Sequence, residues 1–375
     1  MRLRVLLASC VVGVLLAAPA GAVVCQKKKS GTLRVRPTGC KRGEIPFEGA
    51  LGPQGPQGPP GVDGALRVYG DGSAGARTVS DDVELDDPTA QHTDLTIAVG
   101  GTLVVQSGTV IRCTGTFTNN GTLLVQTGAQ GARCLQNAAP STPSHRPADR
   151  GVALGAAMNG ELGDNTALRF GGPGGEPLNE QQARATLEPG VHAGGGGGCG
   201  STYGGEGGPG GGSVTVLAAT AIVNNGVINV TPRTAPYYGG GGGGAGGALI
   251  LASRGSVTNN GTLRADGAAG GDAFAGGGAT QAGSGAGGGG GGGIVHLLAP
   301  VIQAAGVVSV AGGIPGPPGG AGFLTTVLRF GGGGGGASGG RGGRGGNVTG
   351  NDAEAALAGE PGLSLESVVD PTSLF

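Results

Sequence analysis

Glycine fills 91 of the 375 positions, and nothing else in the sequence constrains the fold as strongly. A glycine adds no side chain to a core and loses more backbone entropy on ordering than any other residue. The other residues must supply all the packing, and they supply it thinly, with no tryptophan, 7 phenylalanines and 4 tyrosines. Val, Leu, Ala and Thr are left to fill the interior, which excludes a wide core and favours a thin, repetitive one. Helix is disfavoured throughout, because β-branched residues and glycine dominate.

The repeats say how such a core is built. Three segments align beyond residue 210: GGSVTVLAATAIVNNGVINVTP, GGALILASRGSVTNNGTLRADG and GGGIVHLLAPVIQAAGVVSVAGG. In each, glycines lead into a first strand, a small-residue link into a second, and Asn-Asn-Gly or Ala-Ala-Gly into a third. Gly226, Gly261 and Gly306 hold the same place, and FTNNGTLLV at 117–125 is a further copy of that corner. One such unit cannot bury its own apolar face, but stacked neighbours can. Alternation puts Val214, Val216, Leu249 and Leu251 on one face. Asn224 and Asn225, with Asn259 and Asn260, are expected to form a hydrogen-bonded corner ladder, the next glycine turning left-handed. The fold class expected is all-β, a right-handed parallel β-helix-like or stacked β-coil architecture. The glycine runs at 194–198, 239–247, 285–293 and 331–346 are its excursions, either polyglycine-II-like or disordered. Leu168-Arg169-Phe170 and Leu328-Arg329-Phe330 introduce glycine runs identically.

Seven segments follow from these textures. Residues 1–22 carry a charged start, a short apolar body and a small-residue end, as a signal peptide does, with cleavage expected after Ala22. Cys10 also offers a lipoprotein-type anchoring cysteine. Residues 23–48 form a basic arm with a cysteine pair, holding Lys27, Lys28, Lys29, Arg34, Arg36, Lys41 and Arg42. Such an arm reads as a tether to an anionic wall polymer or as a solvated tail. Residues 49–64 place glycine at every third position, a collagen-like spacer that ends at Arg67. Its few triplets suit a monomeric stalk as well as a trimeric neck. Residues 65–136 are an N-terminal β-repeat region, with short strands over 66–69, 94–99, 101–106, 109–113, 115–118 and 121–126. Residues 137–192 are an Ala/Pro-rich insertion whose best helix lies over 179–187. Residues 193–350 are the glycine-rich β-repeat region. Residues 351–375 are an acidic tail, helix-capable at 352–357, expected to cap the stack.

Export permits disulfides, and short spacing predicts Cys25–Cys40 and Cys113–Cys134. Cys199 is then unpaired, for an intermolecular bridge or burial. The formal net charge of −1 gives no electrostatic footprint for nucleic acid. No apolar run after the signal reaches membrane-spanning length.

Candidate chemistry is sparse. Gly-x-Gly-x-x-Gly recurs, as composition alone would make it, without the strand-glycine-helix setting of a nucleotide site. His92, His145, His192 and His296 are far apart, the first three in expected loops and the last in a strand. The run Asp81, Asp82, Glu84, Asp86 and Asp87 is the one local group suited to a cation, calcium by its oxygen chemistry, although EF-hand and calcium-roll orders are missing. In a β-helix the same run would suit a polysaccharide-cleaving groove if basic residues joined it, and only Arg77 and Arg112 are near.

The stretches VYGDGSAGARTVS at 68–80 and HTDLTIAVGGTLVVQSGTVIRCTGTFTNNGTLLVQ at 92–126 resemble exported glycine-rich β-repeat proteins of myxobacteria and segments of phage appendages. The resemblance implies an extended surface or adhesive component, and it carries over no active residue. The leading reading is a secreted or cell-surface structural protein without catalytic or cofactor-binding residues, self-associating or contacting glycans or other polymers. The alternatives are a β-helical polysaccharide lyase or hydrolase and a disordered secreted spacer.

Overall fold

The structure is a computed structural model. It describes residues 23–30, 32–46, 64–85, 87, 90–134, 145–164, 168–191, 193–200, 205–232, 239–273, 283–318, 328–349 and 352–375. The expected signal peptide, Cys10 and the expected spacer up to residue 63 lie outside them. The chain divides into two units, Met1–Gly61 and Val62–Phe375.

In the first unit, β1 (Val23–Lys27) pairs antiparallel with both β2 (Leu33–Arg36) and β3 (Glu44–Pro46). Cys25–Cys40 closes this small sheet as the spacing predicted.

The second unit opens on a helix, α1 (Gly64–Tyr69), where a short strand was expected over 66–69. Val68 and Tyr69 are buried there, and the Tyr69 hydroxyl meets Thr372 Oγ1 at 3.1 Å. Tertiary burial of two large side chains outweighs the weak local preference. Stacked turns of chain follow. The first runs through β4 (Gly75–Val79) and β5 (Asp82–Glu84), the second through β6 (Gln91–Ile97) and β7 (Thr102–Val105). The third has three strands, β8 (Thr109–Cys113), β9 (Thr116–Asn119) and β10 (Thr122–Val125). After β11 (Arg133–Cys134), β12 (His145–Arg146), β13 (Leu162–Asp164) and α2 (Glu180–Ala185), the pattern resumes. It continues with β14 (Ser213–Ala218), β15 (Ala221–Asn224) and β16 (Val227–Asn229), then β17 (Ala248–Ser253), β18 (Ser256–Asn259) and β19 (Thr262–Arg264). Past β20 (Gly283–Ser284) come β21 (Ile294–Leu298), β22 (Val301–Ala304) and β23 (Val307–Ser309). β24 (Leu328–Phe330), β25 (Val348–Thr349), β26 (Asp352–Ala353) and β27 (Leu363–Ser367) complete the chain.

Within three columns each strand pairs in parallel with its counterpart one turn on, whereas β11–β12, β13–β24 and β25–β26 pair antiparallel. The first column runs β8, β14, β17, β21 and β27, the second β9, β15, β18 and β22, and the third β5, β7, β10, β16, β19 and β23. Register stacks like on like: Phe117, Ile222, Val257 and Ile302 share one rank, and Leu103, Leu123, Ile228, Leu263 and Val308 another. Val214, Val216, Leu249 and Leu251 lie in the same cluster, on one face as alternation required. Each such side chain contributes roughly 1.5–3 kcal/mol on burial, so a thin core of many repeats suffices with Phe117 as its one aromatic. Strands β14, β17 and β21 of the first column are buried on both faces, and the outer side is packed by Val68, Tyr69, Leu187 and Phe375. The segment around α2 covers that side too. Helix α2, capped by Asn179 inside the expected 179–187 segment, buries Ala183 beside Ala248, Ile294 and Leu365.

The glycine runs follow a rule of their own. Successive amides of one strand donate to different neighbours with a period of three. Gly287, Gly288 and Gly289 donate to Gly271, Gly333 and Leu357, and Gly290, Gly291 and Gly292 then return to the same three segments at Ala268, Gly336 and Glu360. Gly195 and Gly198 likewise both reach the 334–337 strand, while Gly196 and Gly197 reach Asp149 and Gly208.

Two further expectations are corrected. The corner glycines Gly226 and Gly261 are not among the positive-φ glycines, which include Gly70, Gly72 and Gly100. Their requirement is steric, since an added Cβ would stand 2.0 Å from the Gly121 carbonyl and 2.1 Å from that of Gly226. Residues 352–357 are not helical. They begin as β26, paired with β25, and then bond to the glycine strands, with Leu357 N donating to Arg344 O and Glu360 N to Arg341 O. A turn or two of isolated helix is marginal, and these tertiary hydrogen bonds win. The tail does supply β27, the last strand of the first column, but among the described strands β22 and β23 remain edges.

Candidate functional site

The cysteines pair differently from the sequence expectation. Cys134 joins Cys199, whereas Cys113 is a free thiol, wholly buried in the main core. Stacking decides this: Cys113 points inward from β8 in register with Ala218, while Cys134 and Cys199 meet in a separate small cluster with Ala132, Ala148 and Ala157. Burial pushes the Cys113 thiol up to about 12, which removes it as a nucleophile near neutrality.

His92 and His145 fall in strands rather than loops, β6 and β12, and His192 lies outside the described residues. His92 and His296 are buried, each with an unpartnered Nδ1. Burial lowers both, His296 from 6.5 to about 4, with Arg184 adding to the effect. His296 Nε2 lies 2.8 Å from Ser367 Oγ. These rings belong to different turns of the stack, His92 in register with Cys113 and His296 with Ile250, so no shared site results.

The acidic run is an edge. Val83 of β5 packs toward the core while Asp81, Asp82 and Glu84 are exposed, since strand alternation sends neighbours to opposite faces. Glu84 Oε1 accepts from Gln106 Nε2 at 2.7 Å and from Gln126 Nε2 at 3.2 Å, a polar ladder across three turns. The signal for it stands in the sequence as Thr-Leu-Val-Val-Gln and Thr-Leu-Leu-Val-Gln at 102–106 and 122–126, which the reading of isolated acidic residues missed. Asp87 is exposed, and Asp86 lies outside the described residues. Among the described residues no three His, Cys, Asp or Glu side chains gather as a metal would need. Arg112 is turned elsewhere, donating to Val68 O at 3.1 Å with Glu188 at 4.0 Å.

What the fold does assemble is an outward face rich in Thr and Asn on the second and third columns, with charge on the third at Asp82, Glu84 and Arg264. Thr78, Thr96, Thr118, Val223, Thr258 and Gln303 stand in one rank. Thr102, Thr122, Val227 and Thr262 stand in another, stepped at the parallel-strand spacing of ~4.8 Å. Between them runs an outer corner ladder, with Asn225 Nδ2 donating to Asn120 Oδ1 at 2.8 Å and Asn260 Nδ2 to Asn225 Oδ1 at 2.9 Å. Regularly spaced hydroxyls and amides suit hydrogen bonding to a repetitive neutral ligand.

Two concavities on the glycine side hold paired charges, Arg341 with Glu176 at 2.7 Å and Arg133 with Glu206 at 2.7 Å, the second lined also by Arg146. Among the described residues no helix is long and apolar enough to cross a membrane. No protein-family model matches the chain, and neither a curated protein nor a solved structure matches it.

Proposed function

We propose that this chain is a non-enzymatic, exported structural or adhesive protein of the cell surface or extracellular matrix. In this reading a right-handed parallel β-helix is built against a polyglycine-II-like lattice, and the Thr/Asn face contacts glycans or similar polymers. The observation that carries it is the period of three in the glycine hydrogen bonds, which matches the three residues per turn of a polyproline-II-type strand. Right-handed crossover is the rule for parallel strands. A body held by backbone bonds on several sides is stiff without large side chains, as a load-bearing surface element requires. The two disulfides favour an oxidising, extracellular setting. The relatives proposed are the exported glycine-rich β-repeat proteins of myxobacteria and the glycine-rich segments of phage appendages.

The test has two arms. Amide exchange on the purified protein should show slow glycine amides at 194–198 and 285–293, protected as strongly as β14 and β17. Incubation with a polysaccharide panel, with and without calcium, should give retention without cleavage, and retention should weaken in a Thr118→Val/Thr258→Val variant. Cleavage that is lost on changing Asp81, Asp82 or Glu84 would overturn the non-enzymatic reading.

A further inference from the structure

The first unit concentrates charge that the fold itself gathers. Residues 23–46 hold Lys27, Lys28, Lys29, Arg34, Arg36, Lys41 and Arg42 against Glu44 alone, in a chain whose net charge is −1. All four lysines of the chain are among them. The pairing of β1 with β2 and β3 decides where they go. Lys27–Lys29 lead out of β1, Lys41 and Arg42 lead into β3, and Lys28 N donates to Gly43 O at 3.1 Å, so the two basic turns meet at one end. Cys25–Cys40 ties β1 to the residue immediately before Lys41.

The one carboxylate there is occupied. Arg36 grips Glu44 with Nη2 to Oε1 at 2.6 Å and Nε to Oε2 at 3.2 Å, and the Lys41 backbone N–H donates to Oε2 at 3.1 Å. Among the described residues no ion pair engages Lys27, Lys28, Lys29, Arg34, Lys41 or Arg42, and Lys27, Lys28, Lys29 and Arg42 line one concavity with Gly43 and Glu44. Holding like charges together in a disulfide-closed sheet costs self-repulsion, and a polyanion in the concavity would relieve it.

We infer that this unit is a binding site for an acidic polysaccharide, one bearing repeated sulfate, carboxylate or phosphodiester groups. A concave lining favours a threaded polymer over a flat lipid surface. The site acts by charge and is therefore salt-sensitive. It is independent of the Thr/Asn face of the second unit.

The distribution of lysines provides the experiment. Acetylating the folded full chain removes lysine charge here and nowhere else, whereas reductive dimethylation retains it. On immobilised heparin at low ionic strength the untreated protein should bind and elute with added salt. Acetylation, or the Lys27→Gln/Lys28→Gln/Lys29→Gln variant, should weaken binding by about tenfold or more, and dimethylation should change it by less than about twofold. Failure to bind either heparin or alginate, acetylated protein binding as tightly as untreated, or a preference for phosphatidylserine vesicles over heparin would each overturn the inference.

Discussion

Asn224 shows how much one side chain can carry in a repetitive core. Its amide accepts from Asn119 Nδ2 at 2.7 Å and donates from Nδ2 to Asn259 Oδ1 at 2.7 Å, and all three residues are fully buried. The ladder has a direction, so one orphan is left at each end, Asn119 Oδ1 and Asn259 Nδ2. It stops where Ala304 replaces asparagine in the next register position. Asn224→Ala strands buried groups on both neighbours and is expected to cost roughly 3 kcal/mol. Asn225→Ala, on the exposed ladder, should cost under about 1 kcal/mol, and urea denaturation of the two variants measures the contrast. His296 is a second single-residue control. Its folded value of about 4 lies below the ordinary 6.5, so between these values the unfolded chain holds more protons. Stability is therefore fully present above pH 6.5, falls as pH drops, and levels off below about 4, by roughly 3 kcal/mol in total from this group. His296→Gln should flatten that part of the stability curve, with His92 contributing a residual slope.

The glycine strands are the element most sensitive to small change. An added Cβ at Gly242 would stand 1.9 Å from the Gly334 carbonyl oxygen, and one at Gly335 would stand 1.9 Å from that of Gly289. Backbone cannot yield as a flexible side chain does, so Gly242→Ala and Gly335→Ala should each destabilise by about 3 kcal/mol or more. Gly155→Ala is the control, because its nearest neighbour is the Glu176 Cβ at 3.3 Å. Thermal denaturation should place it within about 1 kcal/mol of the parent. Among the strands of this region only Gly239 and Gly240 take positive φ, so the runs need glycine for its missing side chain rather than its conformational range.

At the scale of the molecule, one covalent link ties distant segments. Cys134–Cys199 closes a sequence separation of 65 and joins the end of β11 to a glycine strand. Loop-closure entropy gives such a link about 4 kcal/mol. Cys199→Ser should lower the stability of the second unit by about that amount, whereas Cys25→Ser/Cys40→Ser should leave its unfolding midpoint unchanged. Iodoacetamide labelling with mass spectrometry should find Cys113 unmodified until the second unit unfolds.

The local rules of this protein were legible in its residues. Val/Leu/Thr alternation named the strands of the repeats, Asn-Asn-Gly named the corner, the 179–187 segment held the helix α2, and the spacing of Cys25 and Cys40 named their bond. Such features depend on near neighbours or on exact repetition, and both are written along the chain. Partners far apart in sequence were settled only by folding: Cys134 with Cys199, the three neighbours of each glycine strand, the burial of α1, and the tail drawn from helix into strand. Stacking brings those groups within hydrogen-bonding distance, and the carbonyl of an adjacent turn, invisible in any local stretch, fixes why Gly226 and Gly261 can be nothing else.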